Sequence, residues 1–312
     1  MLAPYLAEAR LVPSVPSVPS VPLVPLVPLV AEWSEHAGVD LVALGTDAPA
    51  SVIAQTQNAQ PLIVATGLLS WLTDTSAFRC ELSETVVAGH SLGAITAAAV
   101  AGVFTCADAV ALAAARGRLM AAATSTDGGA LAGPDVAAST STETGNGGDA
   151  ELGGMLAVVG AALPQVQDAA HQAGVTVATV NAPDQIVVAG PLAKLAAFVA
   201  PPKARTVKLP VSGPFHTARY REAAREFAAM LDTIDIAPPQ ALLLSDLDGT
   251  ILTQPADIRA YLTRQLTAPI RWDIVTESLR TLGVSDIIEL APSGTLTRLA
   301  KRALAGVRIT EI

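Results

Sequence analysis

The amino-acid sequence predicts an α/β fold in which a small domain is inserted into a larger one. Three observations support this prediction. The apolar segment 85–89 leads into Gly-His-Ser-Leu-Gly at 89–93, and a helix-forming segment follows. Residues 155–211 show the order strand, helix, strand, strand, helix, strand, and residues 212–312 return to alternating helices and strands. The α/β domain is therefore expected to comprise 1–123 and 212–312, with the small domain at 155–211 between them.

Length and composition predict a protein with a full core and no membrane span. The chain has 312 residues, of which 51% are apolar and 15% charged. Glycines, His90 or a proline interrupt its most apolar windows, whereas a span needs about 18 apolar residues in a row. No secretion signal is recognisable and Cys80 and Cys106 form no C-x-x-C pair, which predicts a cytoplasmic protein without a metal or redox site. The net charge of −9 argues against nucleic acid as a partner.

Residues 12–30 form a three-residue repeat near the start of the sequence. Proline recurs at every third position from Pro13 to Pro28, within residues 12–30. This density excludes a helix and predicts an extended polyproline II segment, either a ligand for a proline-binding module or a repeat-expanded surface connection. Helices are predicted next at 31–38 and 49–75, with Leu-Val-Ala-Leu-Gly between them.

The following elements surround the pentapeptide. A short buried strand is predicted at 85–89, and helices are predicted at 91–103 and at about 107–123. Thr105 and Asp108 have the spacing of a capping box at the start of the second helix.

Residues 124–154 are rich in Gly, Ser, Thr and Asp, which predicts a flexible surface insertion. The compact pattern begins directly after it. Strands are predicted at 155–160, 175–180, 185–190 and 205–211, and helices at 164–173 and 191–200. A short Asn-Ala-Pro-Asp turn is expected between the two middle strands, and the element order is that of a ferredoxin-like domain.

Ser91 is the candidate nucleophile. A serine hydroxyl needs a base to take its proton and a turn that presents it free of neighbours. The small residues of G-x-S-x-G relieve crowding in a strained strand-to-helix turn. The helix that follows directs the backbone N–H of Leu92 at an oxyanion forming on the substrate.

The base is sought among four histidines. His36 and His171 lie in polar helical stretches and are expected to be solvated. His90 adjoins Ser91, so its side chain should point away, in a local structural or pocket-lining role. His216 follows a strand end and a Gly-Pro turn, a loop position typical of catalytic residues. By elimination it is the best candidate, with an ordinary surface histidine as the alternative.

Arg116 lies in the apolar helical segment Ala-Val-Ala-Leu-Ala-Ala-Ala-Arg-Gly. A guanidinium on such a packed helix needs an anionic partner. The partner is either a structural carboxylate or the carboxylate of a substrate, and Arg118 is expected on the wetter face.

Residues 241–252 contain Asp-Leu-Asp-Gly-Thr after an apolar run, which matches the signature of aspartyl-phosphate phosphatases. Too few residues follow Thr250 for the remainder of such a domain. An acidic β-turn is predicted instead, so that Asp246 is not expected to be a nucleophile.

Taken together, these segments resemble the malonyl-CoA:acyl carrier protein transacylases of fatty-acid synthesis, closely the actinobacterial type. The similarity covers about residues 31–123 and 153–312. The matching segments are QPLIVA (60–65), GHSLG (89–93), ARG (115–117), NAPDQIVVAG (181–190), GPFH (213–216), RQLTAPIRW (264–272) and APSGTLTRLAKR (291–302).

The resemblance implies a hydrolase-like α/β domain that carries a ferredoxin-like subdomain, with the active site in the cleft between them. Ser91 would attack the malonyl thioester with His216 as its base, and Arg116 would hold the malonyl carboxylate. A backbone carbonyl orients the histidine in this family, and Gln265 aligns with the residue that supplies it. The phosphopantetheine thiol of the carrier then takes the malonyl group.

The same resemblance implies the surroundings of the site. Leu92 and Phe215 match the malonyl-selective pattern rather than the methylmalonyl one, and His90 and Asn181 are expected to support the site. The expected partners are malonyl-CoA, as substrate, and an acyl carrier protein. No bound cofactor, metal, nucleic acid or membrane is expected, and the protein is expected to act as a monomer.

One feature of the family is missing. The family opens with a strand and a G-Q-G-S-Q loop whose glutamine N–H completes the oxyanion hole, but that pentapeptide occurs nowhere in the 312 residues. The first residues resemble the segment that follows the loop. We therefore expect either a start codon assigned too far downstream or a truncated copy. Such a chain would be unstable or weakly active, since losing one oxyanion donor costs about 10²–10³ in kcat.

Two other functions remain open at this point. A serine esterase or thioesterase of the α/β-hydrolase type would place its acid between the serine and the histidine in the chain. Asp246 and Asp248 instead follow His216, and Arg116 has no role in that scheme. The other function is an inactive, carrier-binding remnant.

Overall fold

The structure, a computed structural model, describes residues 26–73, 81–124 and 152–312. The predictions for the N-terminal segment before residue 26 and for the insertion at 125–151 lie outside these residues. The helices are α1 Leu26–Ala37, α2 Leu41–Thr46, α3 Ala50–Ile53, α4 Thr56–Thr73, α5 Gly93–Val100, α6 Cys106–Thr124, α7 Leu163–Ala173, α8 Leu192–Ala196, α9 Arg221–Leu231, α10 Pro255–Arg264, α11 Trp272–Thr281 and α12 Thr295–Ala303. The strands are β1 Val86–Ala88, β2 Gly153–Val159, β3 Thr176–Ala182, β4 Gln185–Pro191, β5 Arg205–Lys208, β6 Leu242–Leu244, β7 Ile251–Leu252, β8 Ile270–Arg271, β9 Asp286–Glu289 and β10 Arg308–Glu311. The predicted α/β fold is confirmed.

Helix α1 corrects the prediction for residues 12–30. The helix begins at Leu26 and includes Pro28, so that 26–30 are helical rather than extended. Proline is tolerated in the first turn because its missing N–H would have no partner inside the helix. Val30 and Trp33 on the same helix are buried in the main core, which stabilises the helix despite the proline.

The main core is formed by α1, α4, α5 and α6 together with the parallel strands beneath them. Helices α4 and α6 pack closely at Gly117, where a Cβ atom would lie 2.9 Å from the carbonyl oxygen of Thr56. A larger residue at this position would push the two helices apart. Arg116, the residue before Gly117, is buried between them. None of the helices in the described part of the chain is both long enough and apolar enough to cross a membrane.

The sheet that positions the candidate nucleophile contains β1, β6 and β7. Strand β1 pairs with β6 in parallel, with Ala88 opposite Leu244, and β7 is antiparallel to β6. Because the carboxyl ends of parallel strands meet at one edge, the turn after Ala88 and the turn after Leu244 lie side by side. A second parallel pair, β9 and β10, lies near the C-terminus.

Residues 153–208 form the predicted sequence of strand, helix, strand, strand, helix and strand. The sheet order is β5-β2-β4-β3, with β8 added in parallel to β3. Helices α7 and α8 cover one face, and Phe215 packs against the other. The turn between β3 and β4 is shorter than predicted, since Asn181 and Ala182 belong to β3 and the strand pairing reaches Ala182 opposite Gln185. The division of the chain into domains stays a prediction.

Candidate active site

Ser91 occupies a strained turn between β1 and α5. Its φ of 52° lies in the left-handed region, which residues other than glycine seldom adopt. Gly89 allows this turn, since a Cβ atom there would lie 2.0 Å from the carbonyl of Gly93. Strain of this kind is characteristic of functional turns, and here it presents the Ser91 hydroxyl at the carboxyl edge of the sheet.

His216 lies directly against the serine. Its Nε2 is 2.8 Å from Ser91 Oγ, and its Nδ1 is 2.8 Å from the backbone carbonyl oxygen of Gln265. Gln265 follows the last residue of α10, and carbonyl groups at a helix C-terminus lack partners within the helix. The carbonyl accepts the Nδ1 proton, which leaves Nε2 free to take the proton of the serine. The structure thus brings together the two side chains that the sequence could pair only by elimination.

The surroundings of His216 keep its imidazole neutral. The side chain is buried, and burial together with the positive charge of Arg116 lowers its pKa from 6.5 to about 3, although the Gln265 carbonyl acts in the opposite direction. A base is useful only in its unprotonated form. At neutral pH His216 is therefore ready to accept a proton before substrate binds.

This pKa predicts a flat acid limb in the pH dependence of Ser91 acylation. Because the pKa is lowered, the base form persists to lower pH, and we expect kcat/KM for the acylation step to stay level from pH 8 to about pH 5. A histidine with the ordinary pKa of 6.5 would lose about 30-fold at pH 5. The rate is measured by intact-mass spectrometry of samples quenched at successive times, and circular dichroism at each pH controls for unfolding. A midpoint near pH 6.5 in the folded protein would contradict the prediction.

Arg116 is buried in α6 and forms no hydrogen bond with a carboxylate among the described residues. Its Nη1 donates to Gln60 Oε1 at 2.7 Å and its Nη2 to Ser91 Oγ at 3.3 Å, while its Nε has no partner. Burial lowers its pKa from 12.5 to about 10, with the charge of Asp246 acting in the opposite direction, so the guanidinium is charged at neutral pH. The structural ion pair, one of the two predicted roles, is therefore not found among the described residues.

Gln60 was not recognised from the sequence as part of the site. It lies in α4, is buried, and supplies a neutral amide oxygen to the guanidinium of Arg116. A neutral partner satisfies one N–H group without cancelling the positive charge, which stays available to an anion. The sequence offered two signals: Gln60 is a polar residue next to a proline in an apolar segment, and it opens the family-like segment QPLIVA.

Leu92 lies at the N-terminus of α5, where the first amides of a helix have no partner within it. Its N–H forms no hydrogen bond with any residue of the described part of the chain. The amide is adjacent to the Ser91 hydroxyl in the chain and is available to an oxyanion.

His90 points away from the serine, as expected from its position. Its Nε2 is 2.9 Å from Asn181 Oδ1, and its ring packs against Trp272 at 5.5 Å between centroids. These contacts tie the turn at Ser91 to strand β3. Phe215, the residue before the histidine, is half-buried and packs against Tyr220, which fixes the start of the loop.

Asp246 is the second residue that sequence reasoning missed. A turn is present, but its hydrogen bond is that of an α-turn rather than the predicted β-turn: the Gly249 N–H donates to the carbonyl of Ser245, four residues earlier, at 2.9 Å, and Gly249 has a φ of 72°. However, the side chain of Asp246 is fully buried, and its Oδ2 accepts the Ser91 N–H at 2.7 Å. The described residues contain no group of three or more metal-binding side chains. The carboxylate therefore belongs to the serine turn, and nothing in the described residues makes it part of a metal site.

Comparisons with known proteins find similar sequences. The chain matches no family model. It is 42% identical over 281 residues to the malonyl CoA-acyl carrier protein transacylase of Mycobacterium tuberculosis, covering 89% of this chain and 84% of the relative. It is 38% identical over 282 residues to the corresponding protein of Mycolicibacterium smegmatis, covering 88% and 89%.

Solved structures are similar as well. The crystal structure of MCAT from Mycobacterium tuberculosis has a TM-score of 0.79 at 41% identity, covering 92% of this chain and 87% of that one. A complex named PlMCAT:AntF, a type II PKS acyl-carrier protein with its malonyl-transacylase, has a TM-score of 0.77 at 27% identity, covering 93% and 88%.

Proposed function

Because this chain belongs to the malonyl-CoA:acyl carrier protein transacylase family, we propose that Ser91 carries the malonyl group between the two substrates. The protein is an acyltransferase that moves malonyl from malonyl-CoA to the phosphopantetheine thiol of an acyl carrier protein, in fatty-acid or polyketide synthesis. Malonyl-CoA is its substrate, and the transfer uses no bound cofactor. The roles of individual residues in this reaction are our proposal.

In the first half-reaction, Ser91 Oγ attacks the thioester carbonyl and gives its proton to His216 Nε2. The negative charge that forms on the carbonyl oxygen is stabilised by the Leu92 N–H. When the intermediate collapses, the C–S bond breaks and the CoA sulfur takes the proton from His216. The products are free CoA and a malonyl ester on Ser91.

In the second half-reaction, the thiol of the carrier gives its proton to His216 Nε2 and its sulfur attacks the ester carbonyl. The C–O bond to Ser91 breaks, and His216 returns the proton to the serine oxygen. The Gln265 carbonyl holds the Nδ1 proton of the imidazole throughout, so Nε2 alone exchanges protons.

The observation that carries the proposal is the guanidinium of Arg116, which lies 3.3 Å from the Ser91 hydroxyl and is bonded to no carboxylate in the described ranges of the chain. A malonyl group on the serine places its free carboxylate within reach of that side chain. Fork-like pairing of a guanidinium with a carboxylate is strong and directional. A neutral acyl group would leave the buried charge unpaired, so the site selects malonyl.

The esterase alternative is disfavoured by the position of the acid. In a hydrolase triad the carboxylate accepts the Nδ1 proton of the histidine. Here the backbone carbonyl of Gln265 accepts it, and Asp246 contacts the backbone of Ser91 instead.

The carrier itself needs a docking surface of opposite charge, since acyl carrier proteins of this family's reaction are acidic and this chain has a net charge of −9. Six exposed basic residues lie on either side of the His216 loop in the chain: Lys203, Arg205 and Lys208 before it, and Arg219, Arg221 and Arg225 after it. Arg225 pairs with Glu222, and Arg219 donates to the Ala123 carbonyl. The remaining four form no ion pair within the described residues and are the better candidates for contact with the carrier.

We further propose that the protein acts as a monomer in the cytoplasm. A single chain supplies Ser91, His216, Arg116 and Gln265, so that the proposed chemistry needs no second copy. The expectation of weak activity from a missing oxyanion donor stays a prediction.

Intact-mass spectrometry after incubation with malonyl-CoA tests the proposed function. We expect an adduct of about 86 Da on Ser91, the size of a malonyl ester, that persists in buffer and disappears when carrier thiol is added. Rapid loss of the adduct to water would show a hydrolase instead. Absence of any adduct on the folded protein would show an inactive remnant.

A further inference from the structure

Asp246 is a fully buried carboxylate, and among the described residues its hydrogen bonds come from neutral donors only. Its Oδ2 accepts the N–H of Ser91 at 2.7 Å, and its Oδ1 accepts the hydroxyl of Tyr261 at 2.9 Å. The Nε2 of Gln265 lies 3.0 Å from both oxygens. Since every contact brings a donor, the group is arranged to accept as a carboxylate rather than to donate as an acid.

The first of these contacts acts on the strained turn. Ser91 precedes the first residue of α5, so its N–H has no acceptor within that helix and needs one elsewhere. Asp246 supplies a charged acceptor, which forms stronger hydrogen bonds than a neutral one. The contact thus stabilises the conformation that presents the Ser91 hydroxyl to His216.

The second contact acts on the base. Gln265 Nε2 donates to the Ser91 carbonyl oxygen at 3.0 Å as well as to Asp246, and the backbone oxygen of the same glutamine accepts the Nδ1 proton of His216. The carboxylate is thus hydrogen-bonded to the residue that orients the histidine and to the turn that carries the serine. Both contacts thus act on groups that flank the Ser91–His216 pair, whose Oγ–Nε2 distance is 2.8 Å.

A purely structural role gives a poor account of this arrangement. Burying a carboxylate without a bonded cation is costly, and a neutral side chain that accepts the same hydrogen bonds would fill the space at lower cost. Burial raises the pKa of Asp246, although hydrogen bonds from Gln265, Ser91 and Tyr261 oppose this shift. An acid retained at this cost, in contact with the nucleophile, is expected to serve the reaction.

We propose that Asp246 is a positioning residue for acyl transfer. Its carboxylate binds both the Ser91 turn and Gln265, and so fixes the serine hydroxyl relative to the histidine that Gln265 orients. The inference rests on the proposed function of Ser91 as the nucleophile. It assigns a positioning role to the turn that follows β6, which the Asp-Leu-Asp-Gly-Thr motif does not indicate.

The test compares Asp246→Asn, Asp246→Ala and Asp248→Ala in single-turnover acylation with malonyl-CoA and acetyl-CoA. Asparagine keeps an oxygen for the Ser91 N–H, so kcat of Asp246→Asn should stay within about 10-fold of the parent. Asp246→Ala should lose about 10²-fold in kcat with KM little changed, as expected for a small misplacement of the reacting groups. Both acyl groups should be affected alike, because the carboxylate does not contact the acyl chain. Asp248→Ala, in the exposed position of the same turn, should behave as the parent.

Thermal unfolding of each variant separates positioning from folding. If Asp246→Ala does not fold, Asp246→Ser gives the same comparison, since its hydroxyl is too short to reach the Ser91 amide. The inference is overturned if a folded Asp246→Ala or Asp246→Ser protein acylates at the parent rate, or if Asp246→Asn is as slow as Asp246→Ala. A parent protein that forms no adduct at all would instead overturn the proposed function, so the two failures are distinguishable.

Discussion

Ser91→Ala is expected to abolish malonyl transfer, with a loss of about 10⁴-fold or more in kcat. The reason is that the variant removes the hydroxyl oxygen that lies 2.8 Å from His216 Nε2, and with it the covalent intermediate. Removal of a serine nucleophile has effects of this size or larger in enzymes with comparable dyads. Intact-mass spectrometry checks the prediction, because the variant should show no adduct after incubation with malonyl-CoA.

A surface serine provides the control for this experiment. Ser285→Ala changes an exposed hydroxyl that bonds only to the neighbouring Asp286 among the described residues, and it should acylate like the parent. Peptide mapping of the parent should place the adduct on the peptide that contains Ser91. An adduct that forms on Ser91→Ala at the parent rate would place the nucleophile elsewhere and would remove the basis of the proposed mechanism.

Arg116→Ala is expected to reduce kcat/KM for malonyl-CoA by about 10³-fold and to raise the activity with acetyl-CoA relative to malonyl-CoA. A site built to bind a charged group discriminates strongly, because its buried donors are unpaired when that group is missing. Arg116 already has one unpaired donor, Nε, in the structure without substrate. Removing the guanidinium therefore removes both the attraction for malonyl and the penalty for a neutral acyl group. The acyl preference is measured by competition between the two CoA esters.

Two variants sharpen the interpretation. Arg118→Ala removes an exposed arginine two residues away on the same helix, and its acyl preference should be that of the parent. Gln60→Glu replaces the amide oxygen that accepts from Arg116 at 2.7 Å with a carboxylate, which gives the guanidinium a permanent anionic partner. This variant should lose kcat/KM for malonyl-CoA and gain activity with acetyl-CoA relative to malonyl-CoA, because the guanidinium is then paired without a substrate carboxylate. An unchanged preference in Arg116→Ala would show that another group binds the malonyl carboxylate.

Much of the local structure around the site was predictable from the sequence. The strand at 86–88, the turn at Ser91 and the two helices that follow were predicted because each depends on residues close together in the chain. The cap at the start of α6 has the same origin: Thr105 Oγ1 accepts the Asp108 N–H at 3.0 Å, as in a capping box, but the Asp108 carboxylate accepts the Thr105 hydroxyl at 2.6 Å. The error at Pro28 shows the limit of such rules, since a residue disfavoured inside a helix is accommodated in its first turn when the rest of the helix is buried.

Partners that come from distant parts of the chain were not predictable in this way. His216 was chosen by elimination, and the role of Gln265 followed only from the resemblance to a family. The pattern of residues 241–252 predicted a turn at Asp246 but neither the type of that turn nor the burial of the side chain against Ser91. Nor did the pattern of α4 show that Gln60 contacts Arg116.

The sequence by itself determined the serine turn, its flanking strand and helix, and the order of the elements after residue 152, because local sterics and hydrophobic periodicity are sufficient for these. Only the tertiary structure decided which groups surround the serine. The parallel pairing of β1 with β6 places Asp246 beneath the Ser91 amide, and the close packing of α4 on α6 at Gly117 places Gln60 on Arg116. These contacts depend on strand order and helix packing, which the one-dimensional pattern does not contain.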